Sequence, residues 1–318
     1  MSADDEWALS SLARSNGGGS EPSVHQLRLF MMLAEELHFG RAAARLFMSQ
    51  PALSKQIRAL ERRLSLQLIE RTSRAVELTP SGHALLPQAR AVTEAMANLR
   101  HVAEVRSREN SGRIVVGTLA AEPAMPHTRV IFDELHKLHP QLVIEMRSLN
   151  FSNQYEALAC GDVDVAFLRP PVPSGIQVYQ LAEEPRIVCL PADDPLAERE
   201  RIALADLSTR TMVTMPPESP REWRDFWAVN PRPDGIPIQF GPPAVDVEGV
   251  LHAISRKQAI GFLPSSARDF YPRPGIVYRD LVDVPPCTMA LTWFVGNRDR
   301  PHVALIRKIA RTAVHRAG

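Results

Sequence analysis

Between Leu27 and Leu64 three short amphipathic patterns follow one another with almost no chain between them. Leu27, Phe30, Ala34 and Leu37 mark the first, Ala42, Ala43, Leu46 and Phe47 the second, and Leu53, Ile57, Leu60 and Leu64 the third. Each set has the spacing that gathers apolar side chains on one helix face. Only His38-Phe39-Gly40 and Met48-Ser49-Gln50-Pro51 are left as connections, the second with Ser49 placed to cap a helix and Pro51 suited to its first turn. Two helices joined by so tight a turn hold the second at a steep angle to the first, which leaves its outer face free to enter a major groove.

That outer face is chemically suited to the task. Opposite the third apolar stripe lie Ser54, Lys55, Arg58 and Arg62, with Gln50 and Pro51 at the leading end. Glutamine pairs bidentately with adenine, lysine with guanine and serine with either, while Arg58 and Arg62 are better placed for phosphate. A merely solvated helix would carry similar residues, so the next segment matters. After Leu66, Leu68 and Ile69 comes ERTSRAVELT, residues 70–79, two short extended runs around a basic tip. This reads as a wing, with Arg71 and Arg74 reaching flanking phosphates or the minor groove. Charge is divided accordingly: residues 23–112 hold thirteen Lys and Arg against eight Glu, in a chain whose net charge is +1, and the remainder is slightly acidic.

Thr79 and Pro80 then start a helix expected to run to about Arg106, kinked early at Pro87. Leu85, Ala89, Val92, Met96, Leu99 and Ala103 alternate spacings of four and three, a coiled-coil seam. Pairing with the same helix of a second chain would cover it; packing on this chain's own domains is the alternative. Beyond Gly112 the pattern changes to strands alternating with helices. Strands are expected at 113–118, 142–146, 163–167, 186–190 and 259–263, and helices at 126–139, 153–160, 221–229, 247–255 and 300–316. The order implies βαβ units around a parallel sheet.

Residues 34–82, AEELHFGRAAARLFMSQPALSKQIRALERRLSLQLIERTSRAVELTPSG, resemble the head of a LysR-type transcriptional regulator, and ELHFGRAAARL with SQPALSKQIRALE most resembles the branch controlling aromatic and chloroaromatic degradation. The resemblance implies that Gln50, Pro51, Ser54 and Lys55 read bases, that the long helix pairs antiparallel with a partner's, and that the second half is a two-lobed domain like that of solute-binding proteins. The implied organisation is a tail at 1–22, a winged helix-turn-helix at 23–80, a linker helix at 81–110 and an effector-binding domain at 111–318. Within that domain one lobe spans 113–182 and 289–318 and the other 183–288, with crossings near Ala182 and Thr288. Ser65 departs from the usual glycine where the recognition helix ends, and Ile69 from the usual phenylalanine. Implied partners are an operator in double-stranded DNA, a small-molecule effector, and further copies as a homodimer or homotetramer. No cofactor is implied.

Ligands in α/β folds lie where strand ends meet helix N-termini. Here those places are 118–122, 150–153, 215–219 and 263–266, giving Thr118, Ala121, Asn150, Phe151, Ser152, Met215, Pro264 and Ser265 as candidate effector residues. In the aromatic-degradation branch hydroxyl side chains at the first two places bind a small carboxylate; by alignment Ala121 and Phe151 stand there. Thr118, Ser152 and Ser265 are the available substitutes, and Phe151 and Met215 make the pocket more apolar. Lys257 and Ala259 replace glycines expected before the run Ile260-Gly261-Phe262-Leu263-Pro264.

Other classes fit less well. Cys160, Cys189 and Cys287 are odd in number and without CxxC spacing, which suggests neither a disulfide framework nor zinc and is simplest in a reducing cytoplasm. No apolar stretch approaches membrane-spanning length, and Asp4, Asp5 and Glu6 stand where a signal peptide needs basic residues. Residues 15–20, SNGGGS, suit an unstructured tail. GxSxG, HExxH and P-loop motifs are missing, which weighs against an enzyme. Asp133, His136 and His139 read as an exposed polar helix face rather than metal ligands. A solute receptor would explain the second half alone, but not the basic head.

Overall fold

The computed structural model describes residues 21–71 and 76–317. The expected tail, apart from Glu21 and Pro22, and Arg74 of the wing tip lie outside the described residues, and Arg71 is described by its backbone alone. The chain divides into two compact units, Met1–Val102 and Ala103–Gly318.

In the first unit, α1 (Val24–Glu36) opens on a capping box: the Ser23 hydroxyl accepts from Gln26 N–H and the Gln26 amide oxygen accepts from Ser23 N–H. Its buried face is Leu29, Phe30 and Leu33, with Gln26, so of the expected stripe only Phe30 is fully buried. Leu27 and Ala34 are half-buried, and Leu37 is exposed because the helix has ended: it takes the left-handed conformation of a C-cap. Helix α2 (Phe39–Arg45) starts earlier than the apolar pattern suggests, because the ring of His38 caps it by accepting from Arg41 N–H at 3.1 Å. Phe39 therefore lies in the helix and in the core, not in the connection. Phe47 corrects the second stripe. It leaves the helix at φ 51° and is 98 % exposed, while Ala42 and Ala43 are buried. Helix α3 (Gln50–Leu64) matches its pattern, with Ser49 as cap and Leu53, Ile57 and Leu60 fully buried.

Strands β1 (Ile69–Arg71) and β2 (Val76–Leu78) pair antiparallel, Ile69 opposite Leu78. The Glu61 carboxylate receives the N–H groups of Leu68 and Ile69 at 2.9 and 3.1 Å, tying α3 to the base of the hairpin. The Thr79 hydroxyl caps α4 (Pro80–Asn110), accepting from Gly82 N–H at 3.0 Å. Gly82 is required: a Cβ there would stand 2.2 Å from the Leu68 carbonyl oxygen. Pro87 lies inside this helix, which runs one turn beyond the expected end. Of the predicted seam, Ala89 is buried in the head's own core and Leu85 packs against it, whereas Val92, Leu99 and Ala103 are exposed and Met96 is half-buried.

The second unit holds two main sheets. The first has the order β4-β3-β5-β13-β6, from β3 (Arg113–Leu119), β4 (Val143–Leu149), β5 (Val165–Leu168), β6 (Ile176–Glu184) and β13 (Cys287–Phe294). Strands β3, β4 and β5 are parallel as expected, but β13 runs antiparallel to both neighbours, so the sheet is mixed. Strand β3 is buried on both faces: Ile114 and Val116 pack under α5 (Pro126–Leu138) and α10 (Pro301–Ala317), while Val115 faces the core shared with the second sheet. Helix α6 (Glu156–Ala159) is shorter than expected, because residues 151–155 form turns.

The second sheet has the order β11-β7-β12-β8, from β7 (Arg186–Pro191), β8 (Arg201–Ile202), β11 (Gly261–Pro264) and β12 (Ile276–Leu281). Its β7 contacts are both antiparallel. Beside it, β9 (Thr211–Thr214) and β10 (Gln239–Pro243) form a parallel pair, and the helices of this part of the chain are α7 (Arg221–Ala228), α8 (Val247–Ser255) and α9 (Ala267–Phe270). The chain passes from the first sheet into the second at the end of β6 and returns through β13, and these two strands lie side by side with Cys287 opposite Glu184.

Candidate DNA-reading face and ligand cleft

Helix α3 owes its position to burial of one face. With Leu53, Ile57 and Leu60 at zero exposure, Gln50, Pro51, Lys55, Arg58 and Arg62 are turned outward, and Ser54 is half-buried between the faces. The neighbouring cations are committed elsewhere. Arg41 and Arg45 both bond the Glu36 carboxylate, at 3.1 and 2.6 Å, which pins α2 to the end of α1. Those bonds, Arg45 first and Arg41 second, hold the Glu36 carboxyl below its usual range. Arg63 donates to Gln26 at 2.5 Å. The outward cations of α3, Lys55, Arg58 and Arg62, are exposed and can meet phosphate.

In the second unit a cavity of about 70 Å³ opens between the two sheets. Ala121, Phe151, Met215 and Pro264 line it, whereas Thr118, Asn150, Ser152 and Ser265 do not. Thr118 points into the first sheet's packing, within the parallel ladder between Ser148 and Phe167. The Asn150 side chain is consumed by its own turn, accepting from the N–H groups of Ser152 and Asn153 at 2.9 and 3.0 Å. Ser265 turns its hydroxyl to Glu184 at 3.3 Å. Of the expected hydroxyl substitutes, Ser265 is bonded to Glu184, and none of the three lines the cavity.

The groups that do wall the cavity include several the sequence did not single out. Phe151, Trp223 and Trp227 form an aromatic stack with centroids 5.3 and 6.2 Å apart. Trp223 is oriented by donating its indole N–H to the Arg169 carbonyl at 3.1 Å, and Phe151 by its backbone bond to Val245 at 2.8 Å. Tyr271 accepts from Ala121 N–H at 2.5 Å, a direct bond across the cleft, and its hydroxyl is made harder to ionise by burial. Ala120, just before it, is held in the left-handed region at φ 48°. Arg169, at the end of β5, forms an ion pair with Glu184 at the end of β6. Glu184 also accepts from Ser266 N–H at 2.8 Å. Burial alone would raise the Glu184 carboxyl, but the Arg169 charge and the Ser266 bond outweigh it and hold the group below the usual range. Glu122 bonds His127 and Thr128 at 2.6 and 2.7 Å. The one signal that points to Arg169 in the sequence is its place, a lone cation directly after an apolar strand, where strand ends meet a cleft.

The thiols are not activated. Burial raises the Cys287 thiol to about 11 against the opposing charge of Arg169, and it raises Cys189 and Cys160 as well. Among the described residues no group of three or more His, Cys, Asp or Glu side chains is placed to hold a metal ion, and no helix is long and apolar enough to cross a membrane.

A winged helix-turn-helix joined to a two-lobed α/β domain defines a class of one-chain transcriptional regulators that combine a DNA-binding head with a substrate-binding domain. Residues 24–83 match the bacterial regulatory helix-turn-helix proteins of the lysR family, residues 107–315 match the LysR substrate binding domain, and the chain belongs to the LysR family. The HTH-type transcriptional regulator AlsR of Bacillus subtilis (strain 168) is 29% identical over 286 residues, 89% of this chain and 93% of its own. The hydrogen peroxide-inducible genes activator of Dickeya chrysanthemi is 32% identical over 289 residues, 86% of this chain and 90% of its own. Among solved structures, CbnR, a LysR family transcriptional regulator, shares the fold with a TM-score of 0.56 at 22% identity, covering 92% of this chain and 99% of that one. The OxyR C206 mutant of Corynebacterium glutamicum gives 0.51 at 26% identity, covering 94% and 93%.

Proposed function

We propose that this LysR-family DNA-binding regulator reads its operator with the outer face of α3, through Gln50, Pro51, Ser54 and Lys55 to bases and Arg58 and Arg62 to phosphates. Arg71 and Arg74 of the wing extend the phosphate contacts. The observation that carries this reading is the division of α3, three residues fully buried on one side and the exposed Gln50, Lys55, Arg58 and Arg62 on the other. The unit works as a dimer, or a dimer of dimers, through the exposed part of the α4 seam around Val92, Met96, Leu99 and Ala103. It needs no chemistry of its own, and it acts inside the cell, where its DNA is.

The effector in this reading is a small, largely apolar acid, an aromatic acid in the first instance. Aromatic walls from Phe151, Trp223, Trp227, Phe262 and Tyr271 support the apolar body and Arg169 the charge. The effector acts by favouring one lobe arrangement over another. Peroxide sensing, in the name of one relative, draws no support from three thiols whose ionisation is suppressed. A thermal-shift screen of aromatic acids, muconates and amino acids tests the effector class: a rise in Tm with aromatic acids that Ala121→Phe removes supports it, and no hit among the acids rejects it.

A further inference from the structure

Phe47 lies in the turn between α2 and α3 with its side chain 98 % exposed, although both of its chain neighbours are anchored. Leu46 and Met48 are half-buried and pack against the head's core. Two backbone bonds fix the turn, from Phe47 N–H to the Ala44 carbonyl at 3.1 Å and from Met48 N–H to the Ala43 carbonyl at 3.0 Å. The ring is therefore held outward by an ordered backbone. At φ 51° that backbone is in the left-handed region, where glycine or asparagine is least disfavoured. Phe47 thus burdens the fold with a strained backbone and a hydrated ring, and at 98 % exposure no packing within the head offsets either.

A lone exposed apolar side chain is ordinary on a protein surface, so its place decides what it can do. Ser49, two residues further on, caps α3, and Gln50 and Pro51 lead that helix, both exposed. With about 3.8 Å between consecutive Cα atoms, the Phe47 Cα lies within about 11 Å of that of Gln50. The ring therefore borders the end of α3 assigned above to the bases. An uncharged ring gains nothing from phosphate. The base edges of the major groove do carry one apolar group, the thymine 5-methyl, and phenylalanine is among the side chains that meet it.

We propose that Phe47 is a further base-reading residue, whose ring packs against a thymine methyl beside the bases met by Gln50 and Pro51. This contact rests on the assignment of α3 to the major groove and adds to it a residue from outside that helix. It supplies on DNA the apolar burial that the ring lacks in the free head.

The test starts from the duplex that the full wild-type chain selects from random oligonucleotides. Fluorescence anisotropy then gives the affinity of the wild type, Phe47→Asn and Phe47→Leu for that duplex over a range of salt. The same is done on duplexes in which each thymine in turn is replaced by deoxyuridine, which lacks only the methyl. Phe47→Asn is expected to bind about fivefold more weakly with an unchanged salt slope, since no phosphate contact is lost, and Phe47→Leu to stay within about twofold of the wild type. One deoxyuridine replacement should weaken the wild type about threefold and leave Phe47→Asn unaffected, the non-additivity that marks a direct contact. Wild-type affinity in Phe47→Asn would overturn the proposal, as would a shallower salt slope in that variant or deoxyuridine effects equal in both chains. Urea unfolding separates a structural role: a Phe47→Asn chain less stable than the wild type would place the ring in the fold and likewise overturn the contact. Failure of the wild type to select any site would overturn the reading of α3 and this contact together, whereas failure of the contact alone leaves the selected site in place.

Discussion

Left-handed backbone at Leu37, Phe47 and Ser65 ends the three helices of the head, and none of the three is glycine. Ser65 was legible in advance, because the family places glycine there, and the φ of 53° confirms the reason. Lys257, expected to stand in for a glycine, is likewise left-handed at φ 58° and pairs with Asp193. Phe47 was not legible, because a side chain at the right helical spacing counts as core unless the helix end is known. Ser65→Gly is therefore expected to stabilise the head by about 1 kcal/mol in urea unfolding. Phe47→Asn should raise stability by a similar sign and smaller amount, since asparagine tolerates this conformation and no packing is lost. On DNA, Lys55→Ala should change the preferred base at one position, whereas Arg62→Ala should weaken all sequences alike and lower the salt slope by about 1. An unchanged base preference in Lys55→Ala, read by selection from random oligonucleotides, would remove α3's assigned role.

Elements reported themselves to the degree that their faces were one-sided. Helix α3, with a dry side and a wet side, was legible in its buried face, its Ser49 cap and its end at Ser65. Strand β6, whose residues alternate irregularly between half-buried and exposed, left no period to read, and the antiparallel course of β13 follows from long-range pairing that no local pattern encodes. The end of α4 illustrates a similar gap. Arg108 in its last turn donates to the Gly161 carbonyl at 2.7 Å and approaches the Asp164 Oδ2 that accepts from Val115 N–H at 2.8 Å, while Asp164 Oδ1 meets Arg300 at 3.0 Å. Asp164 is 2% exposed, so Asp164→Asn leaves two arginines facing a neutral group in a dry site. A loss of about 3 kcal/mol in the second unit is the expected outcome of denaturant titration. Charges placed at Val92 and Leu99 act on the same helix by a different route: Val92→Glu with Leu99→Glu should yield monomers in sedimentation, and a surviving dimer would reject the seam.

For the molecule as a whole, family membership and fold class were readable from the head's motif and the order of elements. The cleft's residues were only half readable, because hydroxyl side chains near strand ends can cap turns as readily as they can bind a ligand. Glu184, the carboxylate that joins Arg169 to Ser266, carries a pH signature of that arrangement. Its folded-state ionisation lies below the usual 4.5, so its contribution is fully present above that value and is lost as pH falls through the lowered one. The Tm difference between the wild type and Glu184→Gln should thus be largest near neutral pH and shrink below about pH 4.5. A difference that grows on acidification would contradict the ion pair.

The side-by-side course of β6 and β13 has a further consequence for how such a protein can change over generations. Everything from residue 185 to 286 leaves and re-enters the first sheet at one place, where Glu184 faces Cys287. That stretch is topologically a single insertion, exchangeable between relatives as one block of gene without rethreading the chain. What the exchange must respect is the buried side of the host, Val115, Ala166 and Leu168, which would otherwise be laid bare.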